Sequence, residues 1–291
     1  MNKKKFFKIA GAVLLSILAL VLVVELFYLP RYWLKRTKSV PPENAGEELT
    51  IMSANVRCFA PDELFQKSWF YRAGLLSGDI AEVAPDVICF QEVQDLHHNY
   101  LENVMPEYNS VMAFRDKSII REGCAIFYRA DRFEEIETGY FWLSETPDVQ
   151  SKDWGSAHYR VCVYACLKDL NTGKEFIVFN THLDHVGKVA QREGLALICK
   201  RFAEIVPVGM PAFLTADFNA VTSDPIFEPL NAEMLDAREV APETDRRGTF
   251  NGWGKADSVI DHIFFRGAEA HSFKVLRDKD YGAPYISDHY P

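Results

Sequence analysis

The sequence predicts a mixed α/β (α+β) domain in which two packed β-sheets are flanked by helices. Eight short runs rich in β-branched and aromatic residues are typical of buried strands, and three longer segments carry apolar residues at helical spacing. Strands in the middle of the chain follow one another with few helices between them, so a purely parallel sheet is not expected. Because 48% of the 291 residues are hydrophobic, the chain can bury a large core.

The predicted elements alternate along the chain after residue 48. The strands are predicted at residues 49–56, 87–91, 109–113, 124–129, 160–167, 175–180, 212–216 and 259–265. Helices are predicted at residues 69–83, 96–104 and 195–205. Pro85 ends the first of these helices, and Leu96, Tyr100, Leu101 and Val104 form one apolar face of the second.

The N-terminal segment stands apart from this pattern. Residues 9–24 are almost entirely apolar, and residues 26–29 extend the run to about the 20 residues that span a bilayer. A cleaved signal peptide would begin in the same way, with basic residues before an apolar run, but it should end in small residues. The flank here, ELFYLPRYW, is bulky and aromatic, which favours an uncleaved anchor. We therefore expect a short stub and a transmembrane anchor within residues 1–35, with the anchor at about 9–29.

The residues around the anchor suggest its orientation and the start of the domain. Four basic residues precede the span and four follow it, and the usual behaviour of N-terminal anchors favours a cytoplasmic N-terminus and an extracytoplasmic domain. Residues 36–48, RTKSVPPENAGEE, are polar and lack apolar periodicity, as expected of a linker. No second linker or repeat follows, so residues 49–291 are predicted to form one domain of a single-pass, monomeric membrane protein.

The charge of the chain is unevenly distributed. Residues 1–48 carry eight basic and four acidic side chains, so the whole-chain charge of −9 leaves −13 for residues 49–291. Affinity for duplex DNA depends largely on neutralising its phosphates, so this domain is predicted to be a poor general DNA binder. A metal ion could still neutralise a phosphate locally.

Six short polar clusters each close an apolar run. Neighbouring strands lie about 5 Å apart, so their ends can gather distant residues along one rim. The clusters are Asn55, Gln91-Glu92, Thr181-His182-Leu183-Asp184, Asp217-Phe218-Asn219, Asp261-His262 and Ser287-Asp288-His289. Carboxylates, amides and imidazoles on one rim favour metal-assisted attack of water on a phosphate ester.

Glu92 and Asn55 are candidate metal ligands. A carboxylate directly after the apolar run 87–90 is costly unless it is exposed or paired, and it could bind a hard divalent cation. Asn55 could offer a neutral oxygen to the same ion. The alternative is that each strand simply ends in solvent there.

Asp217 and Asn219 form a more specific pattern. Two residues apart in an extended chain, they would point the same way while Phe218 turned toward the core. The carboxylate could then accept a proton from water and the amide could hold a phosphate oxygen. Alternatively, both residues cap a turn.

The two remaining candidates for proton transfer are histidines. His182 follows a predicted strand and could donate to a phosphate oxygen or to the leaving group, although a lone histidine at a strand end is more often structural. Asp261 and His289 suggest a dyad in which the carboxylate orients the imidazole and raises its pKa. Asp288 could hold a second cation or a water molecule.

From Leu49 onward the chain resembles the endonuclease/exonuclease/phosphatase superfamily, whose fold is that of DNase I. The resembling motifs are SANVR, ICFQEV, GCAIFYR, NTHLDH, TADFNA, GTFNGWG, SVIDHIFF and SDHYP. The resemblance implies a four-layer sandwich with its site along one edge of two packed sheets, and dependence on Mg²⁺ or Mn²⁺. FWLSETP and GTFNGWG look like the bacterial branch near the deadenylase-like members. Relatives usually continue past SDHYP into a final apolar strand, whereas this sequence stops at Pro291, so we expect either a truncated sequence or a missing edge strand.

The resemblance also implies a role for each candidate. Glu92 would be the principal metal ligand, with Asn55 beside it and Asp288 completing the acidic cluster. Asp217 would activate or orient the water and Asn219 would hold the phosphate.

Five more residues receive roles beside these. His182 would stabilise developing charge, and His289, supported by Asp261, would do so from the other side or protonate the leaving oxygen. Arg160, in HYRVCVY, would contact the phosphate. Trp253 could stack on a base or pack over a sugar, or serve only in loop packing.

The sequence therefore predicts a divalent-metal-dependent phosphohydrolase acting on a phosphodiester or phosphomonoester. The alternatives are a nuclease acting on DNA or RNA, and a hydrolase of phospholipid, sphingomyelin or phosphoinositide. Nucleic acid, nucleotides, lipid headgroups and inositol phosphates all remain candidate substrates. A non-catalytic binding module on the same fold would be expected to have lost a central polar residue, and none of the candidates has been replaced.

Overall fold

A computed structural model describes residues 3–34, 46–60, 62–277 and 285–291. Its first element is a long helix, α1, at Lys3–Leu34. The segment Lys3–Val24 is long and apolar enough to cross a membrane, and none of it is buried against the rest of the protein. Most of the predicted linker at residues 36–48 lies outside the described residues, which resume at Gly46.

The first sheet has four strands in the order β1-β2-β4-β3. These strands are β1 Ile51–Asn55, β2 Val87–Gln94, β3 Tyr108–Phe114 and β4 Glu122–Arg129. β1 and β2 run parallel, and β4 is antiparallel to both of its neighbours. Two helices cover the outer face, α2 at Trp69–Val83 and α3 at Asp95–Val104.

The second sheet has six strands in the order β5-β6-β7-β8-β11-β9. Its strands are β5 Phe133–Trp142, β6 Val161–Asp169, β7 Glu175–His182, β8 Ala212–Asp217, β9 Leu235–Asp236 and β11 Asp261–Arg266. The helix α4 at Lys188–Ile205 packs on its outer face. Short elements complete the fold: α5 Glu228–Asn231, α6 Ala237–Val240, β10 Glu243–Thr244, β12 Ser272–Phe273, and single 3₁₀ turns at Phe65–Lys67 and Pro225–Phe227.

The two sheets pack face to face over an apolar core. Val87 and Ile126 of the first sheet and Val163 and Val178 of the second are fully buried in this layer. Helices on both outer faces bury their apolar sides against the sheets, which gives four layers. The predicted fold class is therefore confirmed.

A buried polar bridge ties the two sheets together near the rim of the core. The Asn180 amide, on β7, donates to the carbonyls of Phe90 and Ala125, each at 2.9 Å, and accepts from Gln91 Nε2 at 2.8 Å. Since all of these groups are inaccessible to water, each bond avoids the cost of an unpaired buried polar atom. The bridge fixes how the strands of one sheet are placed over those of the other.

Among the described residues, four strands were not predicted: the two-residue strands β9, β10 and β12, and the longer strand β5. β5 has the sequence FEEIETGYFW, and most of its side chains are exposed or partly exposed because it lies at the edge of the second sheet. An edge strand with glutamates on its solvent face carries little of the apolar signal that marks buried strands.

Candidate active site

Three of the predicted site residues lie in one row across the second sheet. His182 is in register with Asp217 on the parallel neighbour β8, and Asp217 is in register with Asp261 on the antiparallel neighbour β11. β7 and β8 therefore end at the same edge where β11 begins. Asn55 ends β1 on the facing sheet, and its side chain reaches Asp217.

Glu92 is brought to this edge by an irregularity in β2. The pairing of β2 with β4 shifts register between Phe90 and Val93, and Glu92 adopts a left-handed backbone with φ of 59°. Such a conformation costs a residue with a β-carbon on the order of 1 kcal/mol or more. A bulge of this kind redirects a side chain that a regular strand would point elsewhere.

Two carboxylates, those of Glu92 and Asp217, lie at the centre of the site, and both accept hydrogen bonds from Asn55. Asn55 Nδ2 donates to Asp217 Oδ2 at 2.9 Å and to Glu92 Oε1 at 3.2 Å. The Cys58 amide donates to the other oxygen of Glu92 at 2.8 Å. Burial opposes ionisation of Glu92, but the charge of Arg57 and the Cys58 amide hold its pKa below the usual range.

Asp217 and Asn219 are not arranged as an extended segment. Asn219 has a left-handed backbone, with φ of 50°. Its backbone N–H donates to Asp217 Oδ1 at 2.9 Å, so the two residues form a turn. Of the two arrangements considered for them, the turn is therefore present and the extended segment is not, because β8 ends at Asp217. The turn nevertheless brings Asn219 Nδ2 to 3.0 Å from His182 Nε2, and Phe218 points into the core as predicted.

Two histidines lie near Asp217, and their pKa values are shifted in opposite directions. His182 Nε2 lies 3.5 Å and His289 Nε2 lies 3.6 Å from Asp217 Oδ2. Burial, reinforced by the charge of Arg160, lowers the pKa of His182 well below its usual range. Burial also disfavours charge on His289, but Asp261, at 2.8 Å from Nδ1, and Asp217 raise its pKa to about 10. One imidazole is thus held neutral and the other is held protonated.

The carboxylates of the site also repel one another. Burial and the nearby charges of Asp261 and Glu92 raise the pKa of Asp217 to about 7, although His289 opposes the shift. The pKa of Asp288 is also raised, by burial and by Glu92, and its Oδ2 lies 3.7 Å from Arg57 Nε. A site this crowded with negative charge favours a bound cation.

Two groups at the rim were missed by sequence reasoning. Arg57 lies 3.7 Å from both Glu92 and Asp288, and it belongs to the SANVR motif, which could have indicated it. Glu122 pairs with Arg115, and burial and the charge of Glu92 raise its pKa to about 7. Nothing in the sequence around Glu122 distinguishes it from a surface carboxylate.

Arg160 lies behind the site. It is buried, its Nη2 lies 3.3 Å from His185 Nδ1, and its Nε lies 3.7 Å from Asp184. Arg160 Nε and His182 Nδ1 have no hydrogen-bond partner among the described residues. Unpaired buried donors at this edge suit an anionic ligand.

Trp253 stands at the rim. Lys67 and Arg72 lie over its ring at 5.4 Å each, and the amide of the preceding residue, Gly252, donates to the Asp288 carbonyl. The loop that carries the indole is thus fixed beside the acidic cluster. These contacts would hold Trp253 in place both if it stacks on a substrate and if it serves only in loop packing, so both interpretations stay open.

The donors at this edge fit a divalent cation. Ligand atoms of Glu92, His182 and Asp217 lie within 4.8 Å of one another, as do those of Asp217, Asp261 and His289. Asn55 presents its nitrogen to the carboxylates, while its Oδ1 accepts from the Arg57 amide, so coordination through oxygen requires the amide to turn over. Oxygen donors with this charge suit Mg²⁺ or Mn²⁺ better than a soft metal.

Comparison with known proteins shows which family has a model that matches this chain. The model of the endonuclease/exonuclease/phosphatase family matches residues 52–289, which include every strand that carries a site residue except the first residue of β1. The chain belongs to the endonuclease/exonuclease/phosphatase family.

Among solved structures, the chain is similar to a mannosyl-6-phosphatase of Bacteroides thetaiotaomicron. The two are 31% identical with a TM-score of 0.77, over 84% of this chain and 97% of the other. A conserved protein of unknown function from Enterococcus faecalis is 27% identical, with a TM-score of 0.76 over 83% and 96%.

Among curated proteins, nocturnin of Drosophila melanogaster is 30% identical over 187 residues, which are 59% of this chain. The exoribonuclease subunit of the CCR4-Not complex of Kluyveromyces lactis is 29% identical over 161 residues, or 46% of this chain. The matches span 27% of nocturnin and 20% of the exoribonuclease subunit.

Proposed function

We propose that this protein is a divalent-metal-dependent phosphohydrolase that cleaves a phosphate ester by attack of water. The observation that carries the proposal is the position of Asp217, whose Oδ2 lies within 3.6 Å of one imidazole held neutral and one held protonated. Pairs of groups whose environments separate their pKa values are typical of acid–base sites.

The metal would be held by the acidic side of the site. Glu92 would be the principal ligand, with Asp288, which shares its contact with Arg57, beside it, and Asn55 would join them if its amide turned over. A bound cation supplies positive charge that polarises the phosphate and stabilises the negative charge of the transition state. Arg57, which contacts both Glu92 and Asp288, keeps these carboxylates oriented.

The other residues act on protons and on the phosphate oxygens. Asp217, whose raised pKa makes it a stronger base than a surface carboxylate, accepts a proton from the attacking water. His289 carries a proton at Nε2, because Asp261 accepts from Nδ1, and can donate it to the leaving oxygen. Asn219 and His182 contact the phosphate from the other side.

Phosphate monoesters of small molecules are the substrates that we favour. The similarity to the mannosyl-6-phosphatase extends over nearly the whole of that protein, whereas the matches to nocturnin and to the exoribonuclease subunit cover a minor part of each. The charge of −13 over residues 49–291 also disfavours long nucleic acids. RNA remains the second candidate because of those two matches.

The first experiment is a substrate panel with and without metal. Phosphate release from mannose 6-phosphate and p-nitrophenyl phosphate is compared with cleavage of a phosphodiester, an RNA oligonucleotide, DNA and sphingomyelin. We expect monoester hydrolysis that requires Mg²⁺ or Mn²⁺, stops with chelator, and is lost in Asp217→Ala.

A matched control is Asp236→Asn, which changes a buried carboxylate that pairs with His262 outside the site and should retain activity. Equal rates in wild type and Asp217→Ala would contradict the catalytic proposal and favour a binding module.

We also propose that α1 anchors the protein in a membrane. The apolar segment Lys3–Val24 supports this, and so does Tyr32, which is only 5% exposed because it packs on the domain. Full-length protein should therefore remain with membranes after carbonate extraction. Release into the soluble fraction with α1 still attached would contradict the proposal.

A further inference from the structure

The loop between β3 and β4 exposes two adjacent isoleucines. Ile119 is 99% exposed and Ile120 is 71% exposed, within the sequence RDKSIIR at residues 115–121. Single exposed apolar residues are common on protein surfaces, but large neighbouring ones at the tip of a loop mark a surface that is covered in use.

This loop lies at the rim of the active site. It begins at Arg115 and is followed by Glu122, and these two side chains form an ion pair. The Glu122 carboxylate lies within 4.8 Å of ligand atoms of Glu92 and Cys58. The isoleucines therefore project from the edge of the molecule that carries the site.

Other loops at the same edge share this property. Phe65, 59% exposed, lies in the turn before α2, two residues from Lys67, which contacts Trp253. Val186 is 63% exposed and follows Asp184 by two residues, in the loop that leaves His182. Apolar side chains thus surround the mouth of the site on several loops, not on one alone.

The helix α1 joins the domain close to this edge. The Tyr32 ring packs against Phe70 at 5.3 Å and against Tyr100 at 4.7 Å. Phe70 lies in the first turn of α2 and packs on Phe59, which directly follows Cys58, whose amide binds Glu92.

The apolar segment of α1 ends near this contact. It ends at Val24, eight residues before Tyr32, a distance of about 12 Å along a helix. The site end of the domain is therefore held within a short distance of the bilayer boundary.

We propose that the loop at residues 115–121 inserts Ile119 and Ile120 into the bilayer that α1 crosses, so that the mouth of the active site faces the membrane surface. The occupant is the bilayer because the anchor already places this edge beside it. Arg115 and Arg121 of the loop are paired with Glu122 and Asp95, so the apolar side chains and not headgroup charge carry the proposed contact. This inference rests on the proposed membrane anchor and not on the proposed catalytic roles.

Fluorescence quenching by lipid tests the insertion directly. Full-length Ile120→Trp is reconstituted in vesicles of phosphatidylcholine and phosphatidylglycerol whose acyl chains are brominated. The control is Val208→Trp, at a fully exposed loop position between α4 and β8, and the signal of the five native tryptophans is subtracted using wild type. We expect brominated lipid to remove most of the emission added by Ile120→Trp and little of that added by Val208→Trp. Equal quenching of the two added tryptophans would overturn the proposal.

A second measurement tests the consequence for substrate access. The double variant Ile119→Glu with Ile120→Glu, and the control Val208→Glu, are assayed on phosphatidic acid in vesicles and on soluble glycerol 3-phosphate. We expect the double variant to lose about tenfold or more on the lipid-borne ester, since two isoleucines leave the bilayer. Its rate on the soluble ester should stay near that of wild type.

The outcomes separate this inference from the proposed function. Either equal loss on both esters or equal quenching of the two tryptophan variants would sink the insertion. If wild type hydrolyses neither ester, the catalytic proposal is still decided by the substrate panel with Asp217→Ala, and the quenching comparison decides the membrane contact. If full-length wild type does not float with vesicles, the anchor fails and the inference fails with it.

Discussion

Replacing Asp261 by asparagine should change the pH dependence of catalysis and not only its rate. In wild type, Asp261 Oδ2 lies 2.8 Å from His289 Nδ1, and this contact together with Asp217 raises the pKa of His289 to about 10. At pH 8 nearly all of the imidazole is therefore protonated and able to donate. In Asp261→Asn the side-chain amide can still accept a hydrogen bond from the ring, but it carries no charge.

The magnitude follows from the loss of that charge. If the pKa of His289 falls to the ordinary histidine value of about 6.5, only about 3% of it is protonated at pH 8. The rate at pH 8 should then fall roughly 30-fold, while near pH 6 the loss should be only about twofold or less. Burial lowers this pKa further and the charge of Asp217, which remains in the variant, raises it, so about 30-fold is the expected scale of the loss.

The assay is kcat/KM against pH from 5.5 to about 9.5 on the best soluble ester. The control is Asp236→Asn, because Asp236 and His262 form a second buried pair, at 2.9 Å, that lies outside the site. Asp236→Asn should keep the wild-type profile. A uniform loss across pH in Asp261→Asn, with no change in the shape of its profile, would refute the role given to His289.

The same pair has a consequence for stability. The folded pKa of His289 lies above the value near 6.5 expected in the unfolded chain. The stabilisation is therefore fully present below about pH 6.5 and is lost as pH rises toward 10. Over that range, the free energy of unfolding of Asp261→Asn should decline less steeply than that of wild type.

Three further predictions concern the metal, a buried histidine and the bridge between the sheets. Glu92→Gln should weaken Mg²⁺ binding by at least about tenfold in calorimetry, and an unchanged Kd would remove Glu92 from the metal site. Burial, with the charge of Arg72, lowers the pKa of His97 to about 3, so the unfolded chain takes up a proton below about pH 6.5 that the folded protein does not. Between pH 7 and 5, wild type should thus lose about 2 kcal/mol of unfolding free energy through His97, and His97→Gln should not show this loss. Denaturant titrations at several pH values measure it, and the same pH dependence in both proteins would contradict this prediction. Asn180→Leu should lower the unfolding free energy by about 2–4 kcal/mol, because it leaves the Phe90 and Ala125 carbonyls unpaired, and a change under about 0.5 kcal/mol would show that the bridge is unimportant.

Strand ends made much of the site predictable. His182, Asp217 and Asp261 each follow or begin an apolar run. Adjacent strands in register bring such positions together, regardless of how the connecting loops are folded. The sequence could therefore indicate which residues meet without indicating their distances. The same regularity made most strands predictable, because buried strands carry continuous apolar runs.

The remaining features depend on tertiary structure that leaves no local pattern. β5 was missed because an edge strand needs no apolar outer face. Arg57 and Glu122 gain their importance only from carboxylates contributed by other segments. The turn at Asn219 was considered as an alternative to an extended segment, and only the register of β8 decides between them.

The backbone at the site shows why sequence rules fail there. Among the described residues, seven other than glycine have a positive φ, and four of them line the site: Arg57, Glu92, Trp253 and Asn219. Each such conformation costs about 1–3 kcal/mol and persists only where surrounding contacts fix it. Glu92 is fixed by Asn55 and the Cys58 amide, and Asn219 by the carbonyl of Leu183. At these four positions the fold directs a side chain of the proposed site against local preference, and a glycine in place of Glu92 would relieve the backbone while removing the proposed metal ligand.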